Sequence, residues 1–347
     1  MVEAIHQVTP FQALALQVQA KAVNQANDRE SARSLIQQTI NHLAKQIAAS
    51  KAFIGLNCKL VLLPEYFLTG FPMAESLTSW ANKACLEMTD PIYDLLGEIA
   101  QKNDIFLGGN AYEVDPNFPE LYFQNCFLID PSGNMVLRYR RLNSMFAPTP
   151  HDVWDKYLDC YGLEGVFPVA KTAIGNFAAV ASDEILFPEV TRCLAMRGAE
   201  ILLHPTSEVY GQGRSPKEAA KVSRAVENMM YVISANTAGI ANTPIPEASV
   251  DGGSKIIDYR GLILAETGAG ESMAAYAGVD IMGLRNYRSQ VGMKNLLARQ
   301  RWDIYAESYR QFHAYPANTM DSGVVERKHF IETQRTTIEK LRKEGII

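Results

Sequence analysis

The chain has 347 residues, 47% of them hydrophobic and 20% charged, with a formal charge of −5 at pH 7, so it can bury a sizeable core as one large domain or two modest ones. The mild acidity excludes a nucleic-acid footprint, which needs a clustered basic face. No apolar run approaches the roughly 20 residues of a membrane span, and the start of the chain lacks a basic-then-apolar leader pattern. Cys58, Cys85, Cys126, Cys160 and Cys193 show no CxxC spacing and the six histidines are isolated, so we expect a reducing cytoplasm and no metal.

In chain order, residues 11–18 read as a first strand. Residues 31–49, with Leu35, Ile36, Ile40, Leu43 and Ile47 near helical spacing, read as a helix. Residues 59–63 are a short buried strand ending at Pro64-Glu65-Tyr66. A helix over 94–102 leads into a strand at 105–109, and strands follow at 126–130 and 136–141. Residues 142–166, rich in aromatic, proline and acidic residues, are expected to form an irregular segment of functional type.

The apolar run at 178–181 suits a buried strand and stops at Ser182-Asp183-Glu184, after which Phe187-Pro188-Glu189 opens a helix. A strand that breaks sharply into a helix projects its junction side chain outward, as a nucleophile elbow does, although a buried capping serine is the plainer reading. A strand at 201–204, a helix at 217–229 and strands at 232–236, 253–258, 262–264 and 274–280 complete the body. Beyond it we expect a long helix around 293–310 and a charged helix over 328–343 with a thin apolar stripe of Ile331, Ile338 and Leu341. Strands alternating with helices early and hairpin-linked strands late indicate a layered α/β architecture. The division expected is one domain over 1–300 and a C-terminal helical extension over 301–347.

Three polar positions follow strand ends: Glu65, Arg141 and Ser182. Each alone has an ordinary explanation, as a turn residue, a surface charge and a cap. Together, on strands of one sheet system, they can converge on one crevice.

The stretches LVLLPEYFLTG (60–70), GNMVLRYRRL (133–142), SDEILFPEVTRCLAMRGAEILLHP (182–205), SRAVENMMYVISAN (223–236), DGGSKIIDYRG (251–261) and VDIMGLRNYR (279–288) resemble, in this order, the motifs of the carbon–nitrogen hydrolase (nitrilase) superfamily. The resemblance implies a four-layer α-β-β-α sandwich, homo-oligomers built by helix packing, and a Glu–Lys–Cys triad that acts on small C–N compounds without a cofactor. Residue by residue it puts the glutamate at Glu65, the lysine position at Arg141 and the cysteine position at Ser182, so two of the three groups differ.

A serine hydroxyl needs a stronger general base than a thiol does. Arginine can stabilise an oxyanion, grip a carboxylate in a two-pronged pair, or lock Glu65 in a salt bridge. Further pocket candidates are Tyr66, Asp183, Glu184 and Glu208, together with His151 and Asp152 from the segment after Arg141. Arg224, Glu227 and Asn228 match the family's RAxEN pattern and read as structural.

The readings that follow are a hydrolase of a small amide, nitrile or related carbonyl compound, and a divergent enzyme in which Glu65 is the acid–base and Ser182 only orients. A binding protein on the same scaffold and an engineered Cys-to-Ser ligand trap of an amidase are the alternatives. The partner expected is a small-molecule substrate, with neither nucleic acid nor membrane.

Overall fold

The computed structural model describes residues 7–209, 215–321, 323 and 325–347. Its centre is a pair of sheets packed face to face. The first runs, in spatial order, Tyr276–Val279, Phe11–Ala15, Cys58–Leu62, Phe106–Asp115, Phe118–Ile129 and Met135–Arg140, with the short Leu86–Glu87 added on Phe106–Asp115. The second runs Ile263–Glu266, Lys255–Ile257, Tyr231–Asn236, Ile201–Thr206, Gly175–Ala179 and Ala170–Thr172. Each sheet has three parallel strands at its heart and antiparallel strands at its edges.

The two-residue period of a strand sorts the apolar side chains into layers. On Cys58–Leu62, Leu60 and Leu62 point into the core between the sheets with Phe177, Leu203 and Ile233. Val61 points the other way, into a cluster with Ile36, Leu43 and Leu96 from the helices Arg29–Ile54 and Pro91–Asn103. Helices Pro188–Met196 and Pro216–Asn228 cover the second sheet through Leu194 and Ala225. The result is an α-β-β-α sandwich. Gly108 sets the spacing between sheets, since a Cβ there would lie 2.9 Å from Leu62 Cδ1 and 3.3 Å from Leu203 Cδ1. Nearby, the Phe106 and Phe177 rings stack at 5.7 Å.

Two sequence expectations are corrected, at 142–166 and around 293–310, and two features are added. Residues 142–166 are not irregular throughout: Pro150 opens a 3-10 turn (Pro150–Val153) that runs into the helix Trp154–Val166, interrupted at Gly162. Its aromatics are helix-spaced and packed rather than loop-like, with the buried Tyr157 stacked on Phe118 at 6.0 Å and the half-buried Tyr161 ring under the Arg140 guanidinium at 4.9 Å. The helix Leu77–Ala84, capped by Ser76, has no counterpart in the sequence reading. Around 293–310 only Trp302–Tyr309 is helical, because the Asn295 side chain donates to the Arg288 and Gln290 carbonyls and accepts from Ala298 N, replacing helical bonds with a turn. On the helix Lys328–Lys343, Phe330 and Thr333 are buried against the body of the chain, and Ile331 is exposed.

Among the described residues no helix is long and apolar enough to cross a membrane, no group of His, Cys, Asp and Glu could hold a metal ion, and all five cysteines are free thiols. Phe177→Ala removes one half of the stacked pair between the sheets and is expected to cost about 3–5 kcal/mol in urea unfolding, the range for emptying a buried aromatic site. A loss under about 1 kcal/mol would mean that the two sheets do not share a tightly packed core there.

Candidate active site

Five strands end on the same side of the sandwich, and the polar residues just beyond them meet. Glu65 lies after Cys58–Leu62, Arg141 after Met135–Arg140, and Ser182 after Gly175–Ala179. Ser207 and Glu208 follow Ile201–Thr206, and Thr237 follows Tyr231–Asn236. Such a rim at the carboxyl ends of parallel strands is where open α/β sheets bind ligands.

Ser182 has φ 52°, in the left-handed region that a β-carbon disfavours, and it starts the 3-10 turn Ser182–Leu186. A residue held there costs on the order of 1–3 kcal/mol, so its surroundings must hold it. They do so through backbone carbonyls. His204, fully buried, places Nε2 2.8 Å from the Ser182 carbonyl oxygen and Nδ1 2.9 Å from Ser234 Oγ. A carbonyl can only accept, so Nε2 carries the proton and Nδ1 accepts from Ser234. Burial, followed by the nearby Lys221 charge, keeps this imidazole neutral by driving its pKa well below the usual value. Arg224 clamps the far side of the turn, donating from Nε to the Ile185 carbonyl at 2.9 Å and from Nη2 to that of Leu186 at 3.3 Å. It is itself paired with Glu227 at 2.7 Å.

Glu184, fully buried, ties the turn to the segment after Arg141. One oxygen accepts from Leu142 N at 2.7 Å and Asn143 N at 3.1 Å, the other from Ala181 N at 3.2 Å. Burial raises its pKa, with Arg141 and these donors opposing. Glu184 therefore shapes the backbone, while its neighbour Asp183 faces the crevice.

The floor is a charge network. Arg141 Nη1 lies 3.6 Å from Glu65 Oε1 and donates to Gln124 Oε1 at 2.7 Å. Nη2 pairs with Asp183, and Nε donates to the Asn143 carbonyl at 2.7 Å. With these partners filled, no two-pronged face remains for a ligand carboxylate. The guanidinium locks Glu65 and Asp183 instead. Glu65, with no exposed surface, also accepts from Gln124 Nε2 at 2.6 Å and from Ser207 Oγ at 2.8 Å. Its backbone carbonyl accepts from Thr237 Oγ1 at 2.5 Å. Tyr66 has φ 67° and packs on Phe71 and Tyr112. Burial, then the Glu65 charge, pushes its phenol far above the ordinary pKa.

Lys217, in the first turn of helix Pro216–Asn228, closes the ring. Its Nζ lies 3.2 Å from Ser182 Oγ and 3.3 Å from the Ser207 carbonyl. A continuous path therefore runs Ser182–Lys217–Ser207–Glu65–Arg141–Asp183 and back to Ser182. Glu208 stands beside it, paired with the buried Lys221 at 2.5 Å, and an ion chain continues through Glu218 and Lys255 to Glu266. Burial opposes ionisation of Glu208, but the Lys221 charge wins and lowers its pKa.

Two residues proposed from sequence lie outside this ring. Asp152 is buried, accepts from Thr149 N and Oγ1 and from Thr319 Oγ1, and so fastens residues 149–152 to the C-terminal segment. His151 packs against Trp154 and Tyr315. Both belong to the turn opened by Pro150, which carries them away from the strand ends. Sequence reasoning overlooked Gln124, His204, Ser207 and Lys217. The first three sit in strands or at a strand end with no pattern to single them out. Lys217 did carry a signal: a cation in the first turn of a helix opposes the dipole and needs another reason to be there.

This fold with this rim of polar strand ends defines an α-β-β-α scaffold of the nitrilase kind. The chain belongs to the carbon–nitrogen hydrolase family, whose profile matches residues 14–289. It is 26% identical over 248 residues to nitrilase homolog 2 of Dictyostelium discoideum, covering 71% of this chain and 72% of that one. With a formamidase of Bacillus thuringiensis it is 30% identical over 213 residues, or 60% of this chain and 58% of the formamidase. The solved carbon–nitrogen hydrolase of Helicobacter pylori superposes with a TM-score of 0.65 at 19% identity, over 88% of this chain and all of that one. Membership of this family is consistent with hydrolase-type chemistry.

Arg141→Ala leaves Glu65 as a buried carboxylate without its cation and is expected to cost about 3–5 kcal/mol by urea unfolding. Adding Glu65→Gln to it removes the stranded charge and should restore more than half of that loss. If the double variant is no more stable than Arg141→Ala, the pair does not hold the floor together.

Proposed function

We propose that this protein hydrolyses the C–N bond of small amides or related carbonyl compounds by acyl transfer at Ser182, in a variant Glu65–Arg141–Ser182 site. The observation that carries this reading is the presentation of Ser182. A non-glycine residue in the left-handed region, braced by His204 and Arg224, displays its hydroxyl at the rim where Glu65 and Arg141 also end. A residue that only capped a helix would need no such strain. Arg141 is a positioning residue here: it orients Glu65 and Asp183 and neutralises them, and its engaged guanidinium argues against a role in gripping a substrate carboxylate. Glu65, with Ser207 donating to its Oε2 and Arg141 beside its Oε1, supplies the buried carboxylate that orders the groups around the reacting bond. The relative that carries the name formamidase supports the choice of short amides as first substrates. Residues 301–347, with Ile304, Tyr305, Tyr309 and Phe312 exposed, are proposed to form a C-terminal extension at the interface of a homo-oligomer.

Ammonia release from a panel of short aliphatic amides, formamide first, tests the reading. Wild-type turnover is expected, with a loss of at least about 100-fold in both Ser182→Ala and Glu65→Gln. Turnover that survives Ser182→Ala would leave Ser182 with an orienting role alone. For the assembly, light scattering at micromolar concentration should give more than one chain mass, and a monomer would contradict it.

A further inference from the structure

The fold leaves one chemical need of Ser182 unmet by the residues so far given roles. A hydroxyl attacks a carbonyl only if a base takes its proton at that moment. Glu65 is linked to Ser182 only indirectly, through Ser207 and Lys217 on one side and Arg141 and Asp183 on the other, and its carboxylate is already committed to Gln124, Ser207 and Arg141. His204 is turned to the serine's backbone carbonyl and has both ring nitrogens in use. The side chain that does touch the hydroxyl is Lys217, 3.2 Å from Nζ to Oγ.

We propose that Lys217 is the general base for Ser182, so that the attacking unit of this protein is a serine–lysine pair built from a helix outside the strand-end triad. The inference rests on the acyl-transfer reading above. In the first step the Ser182 Oγ–H proton passes to the neutral Lys217 amine as Oγ bonds to the substrate carbonyl carbon, and the carbonyl π pair moves onto oxygen. When that pair returns, the C–N bond breaks, its electrons leave on nitrogen, and the Lys217 ammonium gives the proton to the departing amine. The products of this half are an ester on Ser182, a free amine and Lys217 restored to neutrality. In the second half the ester is hydrolysed by water, with Lys217 taking a water proton and returning it to Oγ.

Three features of the surroundings favour a lysine that can lose its proton. Lys217 is half-buried, and among the described residues no carboxylate lies within ion-pair distance of its Nζ. It sits in the first turn of its helix, where the positive end of the dipole disfavours ammonium. The charges facing it come from four elements: Glu65 and Glu208 favour the ammonium, Arg141 and Lys221 oppose it, and His204 beneath is neutral. Burial is the largest influence, and the resulting pKa is below the ordinary lysine value. The contrast with Lys221 is instructive. That lysine is completely buried and pairs with both Glu208 and Glu218, a structural role in the ion chain.

The test uses the full chain and a fluorophosphonate probe, which bonds to a serine oxygen with loss of fluoride, read by intact mass and peptide mapping. Wild type should be labelled at Ser182 alone. The labelling rate should rise with pH through a single midpoint below the ordinary lysine range. Lys217→Ala should label about 10²–10⁴-fold more slowly, lose that midpoint, and regain part of its rate on addition of a small primary amine. Lys217→Arg keeps the charge and reach but cannot be deprotonated, and it should stay equally slow. Folding of each variant is checked by near-ultraviolet circular dichroism. If Lys217→Arg labels Ser182 at the wild-type rate, Lys217 contributes only charge and the base assignment is wrong, while Ser182 stands as nucleophile. If folded wild type is not labelled at Ser182, both the pair and the acyl-transfer reading fall.

Discussion

The site rests on one electrostatic arrangement: a guanidinium held between the buried carboxylate of Glu65 and the half-exposed one of Asp183. Arg141 enters from the end of an edge-side strand of the first sheet. It meets Glu65 from the central strand of the same sheet and Asp183 from the turn that leaves the second. Charges taken out of water are costly unless paired and hydrogen-bonded. Gln124 and Asn143 complete the arrangement by accepting two of the guanidinium's remaining donors. Because its partners come from both sheets, this cluster fixes how the two rims face each other, and the positions of Ser182 and Glu65 follow from it. Lysine, a flexible point charge, could not bond three differently oriented acceptors in one plane.

The second requirement is to hold Ser182 in a backbone conformation it would not adopt alone. The structure meets it with side chains that bind carbonyls. His204 takes the carbonyl of Ser182, and Arg224 takes those of Ile185 and Leu186. Glu184 supplies the complementary acceptor for Ala181 and the residues after Arg141. These groups come from the adjacent strand, from the covering helix and from the turn itself. Packing of the second sheet and its helices thus becomes a constraint on one hydroxyl, and the RAxEN segment that reads as structural is structural for the site.

Much of the layered fold is legible in the sequence because strands buried on both faces write themselves as short apolar runs, as at Leu60-Val61-Leu62-Leu63 and at Ala178-Ala179-Val180-Ala181. The strand ends bearing Glu65, Arg141 and Ser182 are legible for the same reason: polarity appears abruptly where the sheet stops. Residues 142–166 were obscured because proline and aromatic content looks like a loop, whereas here Pro150 starts a turn and the aromatics pack around Arg140. Gln124, His204 and Ser207 could not be read. Their roles depend on pairing across strands far apart in sequence, which no local spacing records. Lys217 was half-visible, since its conflict with the helix dipole is a local fact but its partner lies 35 residues away. Asp152 and His151 stand close to Arg141 in sequence, but after Pro150 their contacts are with Thr149, Trp154 and the C-terminal segment.

The claim on which this account turns is that Ser182 becomes covalently acylated. Rapid-quench mass spectrometry of the protein mixed with p-nitrophenyl acetate tests it most directly, because the ester delivers the acyl group without depending on which amide is the natural substrate. The account predicts a burst of p-nitrophenolate approaching one per chain, together with one acetyl group on the peptide that carries Ser182, decaying as free acetate appears. Steady release of p-nitrophenolate with no burst and no acetyl group on that peptide would contradict it.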